Sequence, residues 1–405
     1  MDHNDRQVAS FTMLAHPIFH AYELVIPVFV VIWIDAFSTT PAVLGVVVGA
    51  SYALIGLGAL PSGMLADHIS SKRLVILCML GMGGSFVLVS SASTLPVLAI
   101  ALLVWGAAAS IYHPASLALI SRSAKERGAV FAYHGAAGNV GVAVGPLLAT
   151  VLLAFFGWRT VALILVAPAA LAVLFALRLE FDETAGSAVR GSEIDGDGGI
   201  QSVAEFVSGT RLLFTGGFVV VFVIGILYGI YYRGAFTFLP DILADLPLFD
   251  PVWLAGREFE PSQYVYSGLL LLGGIGQYAG GKLVDRVRVE HAIVSNYVVL
   301  MVIGVTFIPA ANAGLVPLLI VAGLLGFFVF MIAPINQEAI SKYSNPDVRG
   351  LSFGYTYTAI FGVGAVGSTI AGGILTRSSS TVLFFFLAGV VGFATLLGLY
   401  LLRSE

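Results

Sequence analysis

Uninterrupted apolar segments, each about 20 residues long, constrain the fold of this chain more than any other feature of its sequence. Hydrophobic residues fill 58% of the 405 positions and charged residues 10%, so polar residues are too few to cover a soluble protein. Inside a bilayer every backbone N–H and C=O must be paired within the protein, so only helices and closed barrels can span it. Barrel strands alternate polar and apolar residues, and these segments do not. The sequence therefore predicts an all-α polytopic membrane protein.

Twelve apolar segments are predicted to span the membrane. An acidic stretch rich in glycine and serine divides them, and its composition is typical of a flexible linker. We therefore predict a six-helix half over residues 1–179, a cytoplasmic linker over 180–211 and a second six-helix half over 212–405. The segments cover roughly residues 11–34, 42–63, 73–92, 95–120, 128–156, 159–179, 212–240, 263–283, 290–310, 314–340, 350–376 and 380–402.

The positions of lysine and arginine predict the orientation. Of the 19 basic residues, 15 fall on the side of the two termini when the predicted segments alternate in direction. Basic residues concentrate on the cytoplasmic side of membrane proteins. We therefore expect a multi-pass protein of the cell membrane with both termini in the cytoplasm.

The two predicted halves resemble each other in sequence. The motif from Gly63 to Asp67 returns 218 positions later, from Gly281 to Asp285. Pro114 and Pro334 lie six residues before similar Ile-Ser-basic triplets, at an offset of 220, and the following Arg-Gly motifs match at 222. A weaker match aligns residues 20–27 with 233–240, at an offset of 213. An offset that changes so slowly indicates an internal repeat, which is typical of secondary transporters.

These motifs resemble those of the major facilitator superfamily. The Gly-x-x-x-Asp element precedes a basic pair, as in the family, although His68 stands where an arginine is usual. The run Tyr112-His113-Pro114 and the spacing from His16 to Pro27 resemble the fosmidomycin-resistance-type exporters within that family. The resemblance implies alternating access around a cavity lined by segments 1, 4, 7 and 10. It also implies conformational latches at the cytoplasmic side, for which the candidates are Gly63, Asp67, Arg73, Gly281, Asp285 and Arg286.

Three polar residues in the first segment are the leading candidates for function. His16, His20 and Glu23 are spaced i, i+4 and i+7, which places them on one face of a helix. A carboxylate in the membrane is costly unless it is paired or protonated, and histidines beside it can exchange protons near neutral pH. The same residues are also compatible with a structural polar patch or with zinc ligation.

Further candidates for the substrate or proton site lie in four other segments. Arg233 is a permanent charge that can bind an anion or pair with Glu23 or Glu338, unless its head group reaches water at the outer interface. Glu338 is interpreted either as a cavity residue or as a solvated one. The remaining candidates are Tyr112, His113, Tyr133, His134, Tyr232 and Gln337.

No enzyme is predicted, because the sequence lacks a phosphate-binding Walker loop, a Cys-x-x-Cys motif and a His-Glu-x-x-His motif. We expect no cofactor and no resident metal, and the net charge of −4 argues against nucleic-acid binding. The predicted partners are the bilayer, protons and a small-molecule substrate, with the protein as a monomer. The predicted function is proton-coupled export of a small amphipathic or anionic organic compound. The alternatives are an organic-anion importer, as symporter or uniporter, and a non-transporting receptor or scaffold.

Overall fold

Helices account for nearly all of this computed structural model, which describes residues 1–186, 203–254, 256–345 and 348–404. We call residues 1–186 the first region and 203–404 the second region. The helices of the first region are α1 (His3–Ala36), α2 (Pro41–Leu57), α3 (Ala59–His68), α4 (Ser71–Ser91), α5 (Leu95–Ala109), α6 (Tyr112–Ser123), α7 (Arg127–Leu153), α8 (Trp158–Ile164) and α9 (Val166–Arg178).

The second region contains the remaining helices and a small antiparallel ribbon. Its two strands, β1 (Val252–Leu254) and β2 (Arg257–Phe259), pair with Val252 opposite Phe259. A π-helical segment, Thr358–Val363, follows the helix α16. The helices are α10 (Val203–Leu213), α11 (Gly217–Phe236), α12 (Leu239–Ala244), α13 (Pro261–Val284), α14 (Val289–Ala313), α15 (Leu315–Tyr343), α16 (Arg349–Tyr357), α17 (Val366–Arg377) and α18 (Ser380–Ser404).

Eleven helical stretches of the described residues are long and apolar enough to cross a membrane. The helix α13, where we predicted the eighth span, has 24 residues but is not among them. Its glutamines, tyrosines and glycines lower its hydropathy. The all-helical membrane fold is thus confirmed, whereas the count of twelve and the division into two six-helix halves stay predictions. Residues 187–202 of the predicted linker lie outside the described residues, and its last part belongs to α10.

The second and fourth predicted spans are each interrupted in their second half. The helix α2 ends where α3 begins at Gly58, and α5 ends at Ala109 before α6 begins. A Cβ atom on Gly58 would lie 2.4 Å from Oγ of Ser110, so only glycine permits the two interruptions to pack together. These interruptions place Tyr112 and His113 at the start of a new helix, in the middle of the protein.

The two regions meet most closely on the side away from the termini, which we call the far side. The helix α1 runs from the terminal side to the far side, so α2 begins on the far side and packs there against α17. A Cβ atom on Gly45 would lie 2.5 Å from the carbonyl oxygen of Ser368. The backbone N–H of Ala42 donates to Oγ1 of Thr376 over 2.8 Å. Backbone-to-backbone packing therefore closes the far side.

Candidate functional site

The site begins with a proline inside α1. Pro27 has no backbone N–H, so the carbonyl of Glu23, four residues earlier, lacks its helical partner. The hydroxyl of Tyr52, on α2, donates to this carbonyl over 2.9 Å. The interruption of the α1 hydrogen-bond ladder therefore anchors α2 against α1 at the residue that carries the buried carboxylate.

Glu23 forms an ion pair that joins the two regions. Nη2 of Arg233, on α11, donates to Oε1 of Glu23 over 2.5 Å. The two residues are 1% and 2% exposed, so the pair is removed from solvent. Of the two roles predicted for Arg233, this structure has the ion pair with Glu23, and its head group does not reach water at the interface. A buried pair of this kind is costly to break, because each partner alone is an uncompensated charge.

Aromatic rings surround the Arg233 guanidinium. Its Cζ atom lies 3.7 Å from the ring centre of Tyr52, 5.1 Å from that of Tyr232 and 5.5 Å from that of Phe361. The electron-rich faces of these rings stabilise a cation in a dry environment. Nε of Arg233 is buried and has no hydrogen-bond partner among the described residues. One N–H group of this cation is thus not hydrogen-bonded by any described residue.

A chain of hydrogen bonds leads from Glu23 to the histidines. Nδ1 of His20 lies 2.8 Å from Oε2 of Glu23, and Nε2 of His20 lies 3.1 Å from Nε2 of His16. Nδ1 of His16 lies 2.7 Å from the backbone carbonyl oxygen of His134. The spacing of these residues correctly predicted one shared face of α1, and the structure adds a continuous polar path along it.

Helices α6 and α7 complete a histidine cluster, which comprises His16, His20, His113 and His134. The ring of His134 stacks on that of His16 with centroids 3.9 Å apart, and the ring of Tyr112 lies 5.3 Å from that of His16 and 6.1 Å from that of His134. His113 lies edge-on to His16 at 5.4 Å. A Cβ atom on Gly138 would lie 2.5 Å from the His16 ring, so this glycine makes room for the cluster.

His113 also touches the second region. Its ring stacks on Tyr357, at the end of α16, with centroids 5.3 Å apart, and lies 6.5 Å from that of Phe361. The cluster and the ion pair are therefore parts of one site between the regions. Sequence analysis missed Tyr52, Tyr357 and Phe361, because aromatic residues are common in apolar helices and nothing in their spacing indicates which helix they face.

Three histidines of the cluster are close enough to be considered as metal ligands. One nitrogen from each of His16, His113 and His134 lies within 4.8 Å of the others. Tetrahedral zinc needs nitrogens about 3.4 Å apart, with lone pairs that converge on the ion. The rings of His16 and His134 are stacked at an angle of 17°, so their lone pairs lie in two nearly parallel planes and do not converge on one point between them. This conformation is therefore arranged for hydrogen bonding and stacking rather than for zinc.

Three predicted site residues lie apart from the cluster. Tyr133 is 50% exposed, because neighbouring positions on a helix point about 100° apart and His134 faces inward. Gln337 and Glu338 are exposed in the last third of α15. The other predicted candidates line the site or contact a residue that does, namely His16, His20, Glu23, Tyr112, His113, His134, Tyr232 and Arg233.

The predicted latch residues make few visible contacts. The side chains of Arg73, Asp285 and Arg286 are exposed. The side chain of Asp67 lies outside the described part of the structure. A Cβ atom on Gly63 would have no neighbour closer than 3.9 Å, and one on Gly281 would have none within 4 Å.

Other acidic residues form the ionic contacts of the terminal side. The carboxylate of Asp5 accepts from the backbone N–H groups of Lys125 and Glu126, at the start of α7. Glu183 caps the start of α4 in the same way, through the N–H of Ser71. Oε1 of Glu290, on α14, accepts from Nζ of Lys342 over 2.6 Å and from the Tyr343 hydroxyl over 2.8 Å. A carboxylate at a helix N-terminus is favourable. Asp5 and Glu183 cap helices that are 120 and 112 residues away along the chain, so the sequence contains no local signal for these two contacts.

Comparison with known proteins places this geometry in context. The family profile described as Major Facilitator Superfamily matches residues 17–368. The fold is similar to that of the nucleoside transporter NupG in a mutant form, with a TM-score of 0.75 at 13% identity, over 98% of this chain and 99% of that one.

Two further solved structures share the fold. A bacterial homolog of the human lysosomal transporter Spinster matches with a TM-score of 0.73 at 15% identity, over 100% of this chain and 99% of that one. A POT family transporter in complex with a thioalcohol-conjugated peptide matches with a TM-score of 0.73 at 12% identity, over 98% and 96%. No curated protein matches, so the resemblance to fosmidomycin-resistance-type exporters stays a prediction. At these identities the structures establish the fold alone.

Proposed function

Because the chain belongs to the major facilitator superfamily, we propose that it is a proton-coupled secondary transporter that moves a small organic anion by alternating access. The family and the shared fold indicate a transporter rather than an enzyme. The proton, the anion and the direction of transport are our proposal. The observation that carries it is the buried ion pair between Glu23 and Arg233, which continues into a chain of histidines.

The position of the ion pair suits alternating access. Glu23 and Arg233 come from the first and second regions, and the far side beyond them is closed by backbone packing. An anion that takes donors of Arg233 competes with Glu23 for the same guanidinium. Substrate binding then weakens the contact between the regions. This competition links occupancy of the site to the movement of one region against the other.

Export is the direction that the predicted subfamily resemblance favours, and an amphipathic anion fits the mixture of aromatic rings and one cation around Arg233. Import by symport is the second candidate. The charges of the site favour it, because a cationic Arg233 and titratable histidines accommodate an anion and a proton at the same time.

Reconstitution tests the proposal directly. The full-length protein is placed in liposomes that contain a pH-sensitive dye, and uptake of radiolabelled benzoate and of fosmidomycin is followed together with proton movement. We expect anion-dependent proton movement in the wild type and in Glu258→Gln, where an exposed carboxylate of β2 is changed. We expect Glu23→Gln to lose it, because that variant removes both the Arg233 partner and the end of the histidine chain.

Each other outcome has a definite meaning. Anion flux without proton movement, unchanged in Glu23→Gln, would indicate a uniporter and refute the coupling. The direction of transport is read from anion accumulation under an imposed proton gradient. Accumulation on the side to which protons flow indicates symport, and accumulation on the opposite side indicates exchange. Absence of flux for both probes, in variants and wild type alike, would favour the receptor or scaffold interpretation.

A further inference from the structure

The hydrogen bonds of the histidine chain can be counted in protons. Three bonds connect the His134 carbonyl, His16, His20 and the Glu23 carboxylate. A carbonyl and an ionised carboxylate only accept, and each neutral imidazole brings one N–H. Two neutral rings therefore supply two protons for three hydrogen bonds. The observed geometry is complete only when the chain contains one additional proton.

We propose that this additional proton is held by the His16–His20 pair, with His20 as the imidazolium, while Glu23 stays ionised as a positioning residue. The assignment rests on what surrounds each possible carrier. Oε1 of Glu23 accepts from Arg233, whose charge is permanent, so the carboxylate has a cation on one oxygen already. A proton on the other oxygen would leave Arg233 without a buried counter-charge.

The environments of the two histidines distinguish them. Nδ1 of His16 faces a backbone carbonyl, and the other rings against it are those of Tyr112, His113 and His134, with no carboxylate of the described residues hydrogen-bonded to it. His20 has Glu23 as a direct partner, and its side chain is 20% exposed, whereas His16 is buried. A cation is more stable where a carboxylate balances it and some solvent reaches it. His20 therefore carries the charge and donates from both nitrogens, and His16 accepts at Nε2.

Within the described parts of the chain, the surrounding groups do not supply another counter-ion. The titratable and charged groups that face this pair are Glu23 on α1, Tyr52 on α2, Tyr112 and His113 on α6, His134 on α7, Tyr232 and Arg233 on α11, and Tyr357 on α16. Glu23 is the one carboxylate in this set, and it must balance both His20 and Arg233. The protonated site therefore has one net positive charge, and the deprotonated site is neutral.

This charge difference specifies how the substrate is coupled, a step that rests on the transport function proposed above. A buried site with a net positive charge gains stability from an anion, and Nε of Arg233 is a buried donor without a partner among the described residues. Without the proton, one hydrogen bond of the chain is lost and the site is neutral. A neutral site no longer gains stability from the charge of an anion. The proton and a monoanionic carboxylate or phosphonate are thus bound together, which corresponds to cotransport. With an inward proton gradient this inference favours the second candidate above, import by symport, over export.

Nitrogen NMR of the purified full-length protein in lipid nanodiscs tests the proton assignment without any substrate. With ¹⁵N-labelled histidine, an imidazolium and the two neutral tautomers have distinct shifts. At about pH 6 we expect His20 as the imidazolium and His16 as a neutral ring protonated at Nδ1. The His20 signals are identified by their absence in His20→Gln and, independently of any variant, by side-chain-to-backbone correlations. His291→Gln, in which an exposed histidine of α14 is changed, should leave them unchanged.

Infrared spectroscopy of the same sample reports the state of Glu23. If Glu23 is ionised, the infrared spectra of the wild type and of Glu23→Gln should not differ by a protonated-carboxyl band. In the NMR spectra, we expect Glu23→Gln to lose the His20 imidazolium signal. A neutral His20 together with such a carboxyl band would overturn the proposal. So would two neutral rings with an ionised Glu23 over the whole range from about pH 5 to about pH 9.

The liposome assay separates this inference from the proposed function. If protons and anions move together but the NMR and infrared data place the proton on Glu23, the transport function stands and the histidine assignment fails. If His20 is the imidazolium but anions cross without protons, the assignment stands and the coupling fails. Anion movement opposite to the proton would refute cotransport.

Discussion

The two regions of the protein carry different kinds of charge to the same site. In the sequence match at an offset of 213, Arg233 is the position equivalent to His20. The side chains of both residues contact Glu23. The first region also contributes His16, His113 and His134, whereas the second contributes the permanent cation, which lies between Tyr52 of the first region and Tyr232 and Phe361 of the second. The comparison shows a division of roles. His20, whose charge can change, lies in the first region, and Arg233, whose charge is permanent, lies in the second.

The regions also use an equivalent proline differently. Pro27 lies inside α1, where Tyr52 takes up the carbonyl that it frees. Pro240, its match in the second region, stands at the start of α12, after α11 has ended at Phe236. The first region thus keeps one long helix with a polar interruption beside the site, and the second region divides its helix there.

The largest expected effect comes from removal of the permanent cation. Arg233→Gln breaks the buried ion pair and leaves Oε1 of Glu23 without its partner, which should destabilise the protein by about 3–5 kcal/mol and abolish anion transport. In the double variant with Glu23→Gln, much of the stability should return, because neither charge remains. Thermal unfolding in nanodiscs and liposome flux measure the two effects. Equal stability of the single and double variants would show that the ion pair is not the important contact.

The second prediction concerns a variant that has an arginine at the equivalent position of both regions. His20→Arg replaces the titratable group with the residue that stands at the matching position in the second region. The site then keeps its positive charge at every pH, so anion binding persists while the protons moved per anion fall at least about tenfold. Simultaneous dye and radiolabel measurements give this ratio, with His291→Arg as the matched exposed control. A ratio that stays at the wild-type value would place the transported proton elsewhere.

Only part of this site could be predicted from the sequence. The helical face of His16, His20 and Glu23 followed from spacing, because helical periodicity is local. Arg233 had several possible roles, since which helix it faces depends on packing between distant segments. The stack of His113 on Tyr357 and the interruption at Gly58 are tertiary features, and residue spacing contains no information on them. Exposure of Tyr133 and Glu338 likewise depends on which helix faces are covered.

The third prediction concerns the proline of the first region. Tyr52→Phe removes the donor to the Glu23 carbonyl and keeps the ring that contacts Arg233. A buried carbonyl without a partner costs about 1–3 kcal/mol, and we expect thermal stability to fall by that amount. Tyr400→Phe, on an exposed tyrosine of α18, is the control. An unchanged unfolding temperature would indicate that the freed carbonyl has no energetic role.

The smallest expected effect lies on the far side, where carboxylates of both regions come together. Burial, then Asp245, then Asp35 of the first region raise the pKa of Asp241 to about 7 from a usual value of 3.8. The closed far side therefore binds this proton more tightly than an open one. Closure loses stability as the pH rises from about 4, and the loss is complete above about 7.

The pH dependence can be measured by labelling. A cysteine at Ala42, in a Cys78→Ser background, should react with an impermeant maleimide about twofold faster at about pH 8 than at about pH 6 once each rate is divided by that of a free thiol at the same pH, because the thiolate fraction itself rises with pH. Asp241→Asn should remove this difference. A pH dependence that persists in Asp241→Asn would have to come from other groups on that side.

The close approach of Gly56 to Gly362 has a mechanical consequence. A Cβ atom on Gly56 would lie 2.0 Å from the backbone nitrogen of Gly362, so two main chains touch near the middle of the protein with no side chain between them. A rotation about this contact leaves it intact and displaces the helix ends in proportion to their distance from it. The start of α2 at Pro41 lies about 22 Å away along the helix, so a turn of about 10° would move that end by about 4 Å. The glycine contact thus has the properties of a fulcrum, and the residues with the longest lever arms are those that close the far side.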